Sequence, residues 1–287
     1  MKAIYKKEVK SYLTSMIGYV FIFFILLLEG IYFTAYNLQG AYPVFGTTLS
    51  AITFIFLLLV PILTMKTIAE ERKQKTDQLL LTVPVSVGEI VVGKFLAVAT
   101  VYGIPLLIIC VYPLIMGKYG TMSYAMAYTS ILGFALLGFA QIAVGVFWSS
   151  VTENPVIAAV VTFIALFICY MINGIGSLIP DSSMASLSVY LLLILAAAVW
   201  IYHMIQNFWI AGGIGIAGAA VLIVTYVLDA TKYEGSVQRF LTIFDITSHF
   251  DNFTNGILDL QGIVYFLSVI VIFLVLTVQT ITKRRWN

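Results

Sequence analysis

Gly88-Glu89-Ile90-Val91-Val92-Gly93-Lys94-Phe95 has the GxxxxGK spacing of a phosphate-cradling loop, in which backbone N–H groups and a Lys hold phosphate oxygens. A Phe stands where the magnesium-holding Ser or Thr belongs, and the stretch runs into an apolar segment instead of following a strand. It reads as a helix start, with Lys94 snorkelling toward the membrane interface. No other nucleotide motif is present, so this chain is not expected to hydrolyse ATP. The two histidines, His203 and His249, fall on opposite sides of the expected membrane topology and cannot pair on a metal. The two cysteines, Cys110 and Cys169, lie inside apolar runs and imply neither a disulfide framework nor a metal site. Asn252-Phe253-Thr254 is a glycosylation triplet of little weight, and nowhere are a nucleophile and a base arranged as a hydrolase needs. No catalytic, cofactor-binding or metal-binding residue is expected.

Two groups of residues remain. Glu29 is the one acid well inside an apolar run, where a charge costs about 2.5–3.5 kcal/mol and so needs a purpose. It either lines a cavity or packs near the outer interface, and without a His, Lys or Arg at mid-depth it makes a poor proton relay. The second group is the polar, amphipathic stretch Met65 to Lys94, set between apolar runs in a chain only 10% charged. Leu79, Leu80, Leu81 and Val83 give it a face that fits a groove, while Glu70, Glu71, Arg72, Lys73 and Lys75 offer charges for docking. Thr82, ahead of Val83-Pro84, suits a helix end, because Pro disfavours helical backbone just before itself. Glu153 and Asn154 occupy the next turn on the same side, with Asn154 as N-cap and Pro155 at the first helical position. This pattern fits a docking segment for a soluble motor.

The elements that position these residues follow from composition. With 61% hydrophobic residues and a mean hydropathy of +1.04, the 287-residue chain is an all-α polytopic membrane protein. Eight apolar runs are long enough to cross a bilayer: about 16–36, 46–67, 90–116, 124–149, 155–177, 187–205, 208–228 and 262–282. The sixth and seventh are the shortest-linked and can instead form a re-entrant hairpin, leaving six spans. Twelve of the fifteen Lys and Arg fall on the side that holds both termini and the 68–89 segment, which places that side in the cytoplasm. Ahead of the first span, Tyr5, Val9, Tyr12, Leu13 and Met16 share a helical face and the lysines fall elsewhere, so residues 1–15 read as an interfacial helix. Pro61, Pro105 and Pro113 bend spans two and three and can act as hinges or shape a cavity. Gly213 with Ala217 and Gly215 with Ala219 permit close helix packing in span seven. In the 230–260 external segment, apolar positions 237, 240, 241 and 244 predict a short helix dipping into the outer leaflet, with a lid or gate as one use.

Three stretches resemble the ABC-2 type permeases, in particular their gliding-motility (GldF-like) branch. They are Ser11-Tyr12-Leu13-Thr14-Ser15-Met16-Ile17-Gly18-Tyr19-Val20, with Met16 in place of the usual Pro; Pro61-Ile62-Leu63-Thr64-Met65 through Ala69-Glu70-Glu71-Arg72, Leu79-Leu80-Leu81-Thr82-Val83-Pro84-Val85-Ser86 and Val92-Gly93-Lys94-Phe95; and Ser149-Ser150-Val151-Thr152-Glu153-Asn154 with C-terminal blocks such as Arg284-Arg285-Trp286. The resemblance implies a permease subunit of the bacterial cytoplasmic membrane that exports its substrate and binds no cofactor itself. ATP and Mg would belong to a separate cassette ATPase, docked on a coupling segment at 68–89 that includes Thr76, Leu79, Leu80, Leu81, Thr82 and Pro84. A second permease and the lipid membrane are the other partners implied, and nucleic acid is not one. The chain would form a single transmembrane domain over 1–287, a six-span core with an extra hydrophobic pair at 185–230. Lys75 and Gln78 stand where many relatives have Gly and Glu. An ion-gradient-driven carrier and a non-transporting scaffold subunit are the alternatives.

Overall fold

Only a helix satisfies its own backbone hydrogen bonds inside a bilayer. The computed structural model describes residues 1–76, 85–205 and 208–285, and it has no strand among them. Helix α1 (Lys2–Thr14) stops at Ser15, whose extended backbone also opens α2 (Met16–Tyr32). Gly18 is required at this corner, because a Cβ there would lie 2.3 Å from the Tyr12 carbonyl oxygen. A π-helical segment, Phe33–Gln39, continues α2. Next come α3 (Gly46–Thr64), the short α4 (Ala69–Lys73), α5 (Val87–Ile109) and α6 (Tyr112–Tyr119). Helices α7 (Tyr124–Val151), α8 (Pro155–Ser177), α9 (Ser183–Ile205) and α10 (Phe208–Leu228) follow. The chain ends with α11 (Ser236–Thr242), α12 (Ser248–Thr254) and α13 (Leu260–Arg285).

Six of the described helical stretches are long and apolar enough to cross a membrane: Met16–Gln39, Gly46–Lys73, Val87–Tyr119, Tyr124–Val151, Pro155–Ser177 and Leu260–Arg284. They coincide with six of the eight predicted runs. The predicted sixth and seventh differ. Ser183–Val199 is a shorter apolar stretch, and Gly212–Leu228 meets the following Ala230–Thr242 at 116°, so the count is six, or seven if that bent pair crosses as one. The break falls at Asp229, which leaves helical geometry and whose carboxylate accepts from Thr231 Oγ1 (2.5 Å) and pairs with Lys232 (3.2 Å). Apolar length alone does not register such a break.

The chain forms two compact units, residues 1–168 with 246–287 and residues 169–245. The first has an aromatic core of Phe21, Phe56, Tyr102, Phe134 and Phe250, with Phe56 and Tyr102 ring centroids 5.1 Å apart. Tyr102 donates to the Phe134 carbonyl (2.8 Å) and fits because Gly138 has no Cβ to meet its ring. Helix α12 belongs to this core: Phe250 and Phe253 are sealed, the latter against Gly133 and Gly262. The short helix expected from positions 237, 240, 241 and 244 is present as α11, and residues 248–254 form a further helix that is packed core.

In the second unit α9 and α10 run antiparallel, with Gly215 against Ala198 and Gly218 against Ile194. Gly213, expected at a packing seam, faces open space. Helix α11 is held by Gln238, which donates to the Ile179 carbonyl (2.8 Å), and by buried Val237.

Candidate functional site

The turn between α3 and α4 enters the predicted docking stretch, and its position is set by a residue about eighty positions away. Gly145 lets α7 approach the end of α3 closely, since a Cβ would lie 2.2 Å from Thr64 Oγ1. One helical turn further along α7, buried Ser149 reaches the turn itself. Its hydroxyl accepts from the Ile68 and Ala69 N–H groups (3.1 Å each) and donates to the Met65 carbonyl (3.1 Å). Ile68, at the N-cap of α4, has no acceptor side chain, so Ser149 supplies the cap from another helix.

At its other end α4 closes with a Schellman motif, in which Thr76 N–H donates to the Glu71 carbonyl (2.9 Å) and Lys75 N–H to the Arg72 carbonyl (3.0 Å). Lys75 takes the left-handed conformation (φ 56°) that this motif asks of a Gly. The Gly that the family resemblance implies at this place would adopt this backbone without strain.

Beneath α4 lies an ion network. Lys94, one helical turn past Ile90 in α5, is 2% exposed and donates to Glu71 Oε2 (2.9 Å), Glu8 Oε1 (3.0 Å) and the Thr67 carbonyl (2.8 Å). Lys7 approaches Glu71 from outside (3.5 Å), so two ammonium groups balance two carboxylates. Tyr12 is buried beside them, donating to the Leu63 carbonyl (3.1 Å) and meeting Thr67 Oγ1 (3.0 Å). Burial, reinforced by the negative charges of Glu8 and Glu71, pushes the Tyr12 hydroxyl well above the usual tyrosine range and keeps it a donor. Three of the ammonium's protons meet three oxygens from α1, α4 and the turn before it, so one atom ties those segments to α5.

Several expectations change here. Lys94 does not snorkel; the helix start at Ser86 is as expected, with Ser86 Oγ accepting from Glu89 N–H (3.3 Å), but the ammonium points into protein. α1 does not simply lie on the interface: its buried residues are Glu8 and Tyr12, and it packs along α5, with Tyr5 Oη bonded to Thr100 Oγ1 (2.9 Å), while Met16 is exposed. Of the charges expected to face a partner, Glu71 is engaged internally and Arg72 is buried, whereas Glu70 accepts from Gln74 (2.8 Å) and Lys73, Lys75 and Thr76 are exposed. Leu79, Leu80, Leu81, Thr82 and Pro84 lie outside the described residues. Asn154 caps α8 as expected, its Oδ1 accepting from Val156 N–H (2.9 Å), and Glu153 pairs with Arg284 of α13 (3.2 Å). Glu8, Thr67, Lys94 and Ser149 are the residues that sequence reasoning missed. Two signals were available: Glu8 and Tyr12 are four apart, putting an acid on the apolar face of α1, and Lys94 is a lone cation inside a long apolar run.

The candidate cavity and hinge residues are elsewhere. Glu29 is fully buried on the face of α2 shared by Phe21, Ile25 and Phe33, and its carboxyl oxygens have no hydrogen-bond partner among the described residues. Pro61 and Pro105 are buried inside α3 and α5, which continue through them. Pro113 sits in the first turn of α6, after the break at Cys110–Val111, where its missing N–H is no loss. A cavity of about 620 Å³ opens between the 37–43 turn and the end of α6, lined by Asn37, Tyr42, Met116, Tyr119 and Met122. Neither Glu29 nor the three prolines line it.

Among the described residues, six helices, or seven counting the bent pair, are long and apolar enough to cross a membrane, and a polar helix follows the second. The model for ABC-2 family transporter proteins matches residues 2–285, and the chain belongs to that family. It is accordingly a multi-pass membrane component of a transporter, of a kind that is generally not itself catalytic. No curated protein matches the chain.

Proposed function

We propose that this chain is the permease subunit of an ATP-driven exporter, and that a separate cassette ATPase drives it through the segment beginning at α4. The observation that carries this reading is the attachment of α4: Ser149 caps it from α7, and Lys94 joins it to α1 and α5. A push on α4 is delivered to three helices at once and not absorbed by a loose loop. Membership of the ABC-2 family supports a cassette partner, and the quoted motifs favour the gliding-motility branch. The exposed Lys73, Lys75 and Thr76 lead into the leucines at 79–81, which would seat in a groove of the cassette. Two such permeases would enclose the transport path, with both termini in the cytoplasm.

The test is capture of a cassette ATPase by the tagged permease in mild detergent, followed by ATPase assay of the complex. Leu80→Asp should abolish assembly or stimulated hydrolysis while leaving the permease folded. A Leu80→Asp complex with normal stimulation would remove the docking role. Transport that persists without a cassette but collapses with the proton gradient would favour a carrier.

A further inference from the structure

α1 contains one acid, Glu8, and turns it inward to Lys94. Nothing on the outer surface of that helix offsets Lys2, Lys6 and Lys10. These three lysines are spaced four apart and so line one side of the helix, all three exposed, and no ion pair is found for them among the described residues. Half-buried Val9 and Leu13, which the sequence pattern set apart from the lysines, border this row at about 100° per residue, Leu13 between Lys2 and Lys6 and Val9 at its edge. Lys7 is spent on Glu71 and stands apart from this group. The first membrane span starts at Met16, a single residue after α1 ends, so this surface sits at headgroup level.

Long cationic side chains interleaved with aliphatic ones can lay their stems along acyl carbons and raise their ammonium groups to lipid phosphates. Zwitterionic headgroups neutralise their own phosphate, whereas anionic headgroups leave a net negative surface for the lysines. We propose that the Lys2, Lys6 and Lys10 side of α1 is a contact for anionic phospholipid headgroups, and that its occupation holds α1 on α5 and thereby holds Glu8 at Lys94. Lipid charge then sets how firmly the network under α4 is closed, independently of any cassette.

The full-length chain, reconstituted in nanodiscs of phosphatidylcholine alone or of a two-to-one mixture with phosphatidylglycerol, is compared by hydrogen exchange of the α1 amides. Each lysine near an anionic surface contributes about fivefold, so three slow exchange through opening of α1 by up to roughly a hundredfold in the mixed membrane. The difference should shrink in high salt, vanish in Lys2→Gln/Lys6→Gln/Lys10→Gln and survive replacement of the same three by Arg. If the triple variant is not recovered folded, Lys2→Gln and Lys10→Gln alone should each remove about fivefold. Equal α1 exchange in the two membranes, or an undiminished lipid effect in the Gln variants, overturns the proposal. Inorganic phosphate added to phosphatidylcholine discs should give no protection; protection there would assign the surface to a soluble anion and overturn the lipid assignment. No cassette is needed, so this result stands or falls separately from the coupling reading.

Discussion

Lys94→Met keeps most of the side chain's length and removes the ammonium that Glu8, Glu71 and the Thr67 carbonyl share at 3.0, 2.9 and 2.8 Å. Removing one member of a buried ion cluster costs about 3–5 kcal/mol, because the charges left behind keep their desolvation penalty without its compensation. Their mutual repulsion gives the same scale. Both carboxylates touch one nitrogen, so they lie within about 6 Å of each other, worth about 3 kcal/mol at an effective dielectric of about 20. Lys7 is 65% exposed at its side chain and offsets little, and Glu71, 17% exposed, can turn partly to water. The expected loss is therefore near the lower end, about 3 kcal/mol, read as unfolding free energy in micelles by denaturant titration. Glu8→Leu/Glu71→Gln/Lys94→Met removes penalty and attraction together and should recover most of that stability. If the network transmits force, the triple variant stays deficient in cassette-stimulated ATPase although stable. Lys94→Met within about 0.5 kcal/mol of the parent, the range of an ordinary surface change, would refute the argument.

Ser149→Ala leaves the Ile68 and Ala69 N–H groups without an acceptor and should cost about 1–3 kcal/mol, with faster hydrogen exchange at residues 68–72 as the local readout. Lys75→Gly relieves left-handed backbone at the Schellman position and should stabilise α4 by up to about 1 kcal/mol, seen as slower exchange at Lys75 and Thr76. Because Tyr12 is held above its ordinary range when folded, its contribution is complete below the unfolded value of about 10 and is lost as pH rises beyond it. Unfolding curves at alkaline pH should show this loss, and Tyr12→Phe should flatten that limb. Glu29→Leu replaces a sealed, unpartnered carboxyl with an aliphatic group and should raise the unfolding midpoint. If transport falls while stability rises, the burial of Glu29 serves function.

The spans were legible because length and apolarity are local properties, and six of the eight runs became helices long and apolar enough to cross a membrane. The Asn154 cap was legible for the same reason: acceptor and donor are two residues apart. What sequence reading lacked was pairing across distance. Lys94 near a helix start is, by local rules, a snorkelling residue, and only the return of α1 beside α5 brings Glu8 within 3.0 Å. The 230–260 segment shows the limit in another way. Its apolar residues were visible, but Phe253 became core because Gly133 and Gly262 leave room for its ring, and such complementarity is a property of three separate segments.

Under the proposed coupling role, charge in the stretch from α4 onward divides between two duties. Glu70, Glu71, Arg72 and Lys73 are consecutive, so a helix must spread them around its circumference at about 100° per residue. Anchoring α4 by Ser149 and α7 on one side and by Lys94 below leaves only part of that circumference free for a partner. Glu71 and Arg72 take the inward positions, while Lys73 faces outward with Lys75 and Thr76. Charge reversal at Lys73 should therefore weaken cassette binding with little loss of permease stability, whereas charge loss at Glu71 should do the opposite first. Measuring both quantities for both variants separates the two duties: equal effects on binding and stability at the two positions would show that anchoring and docking share one surface.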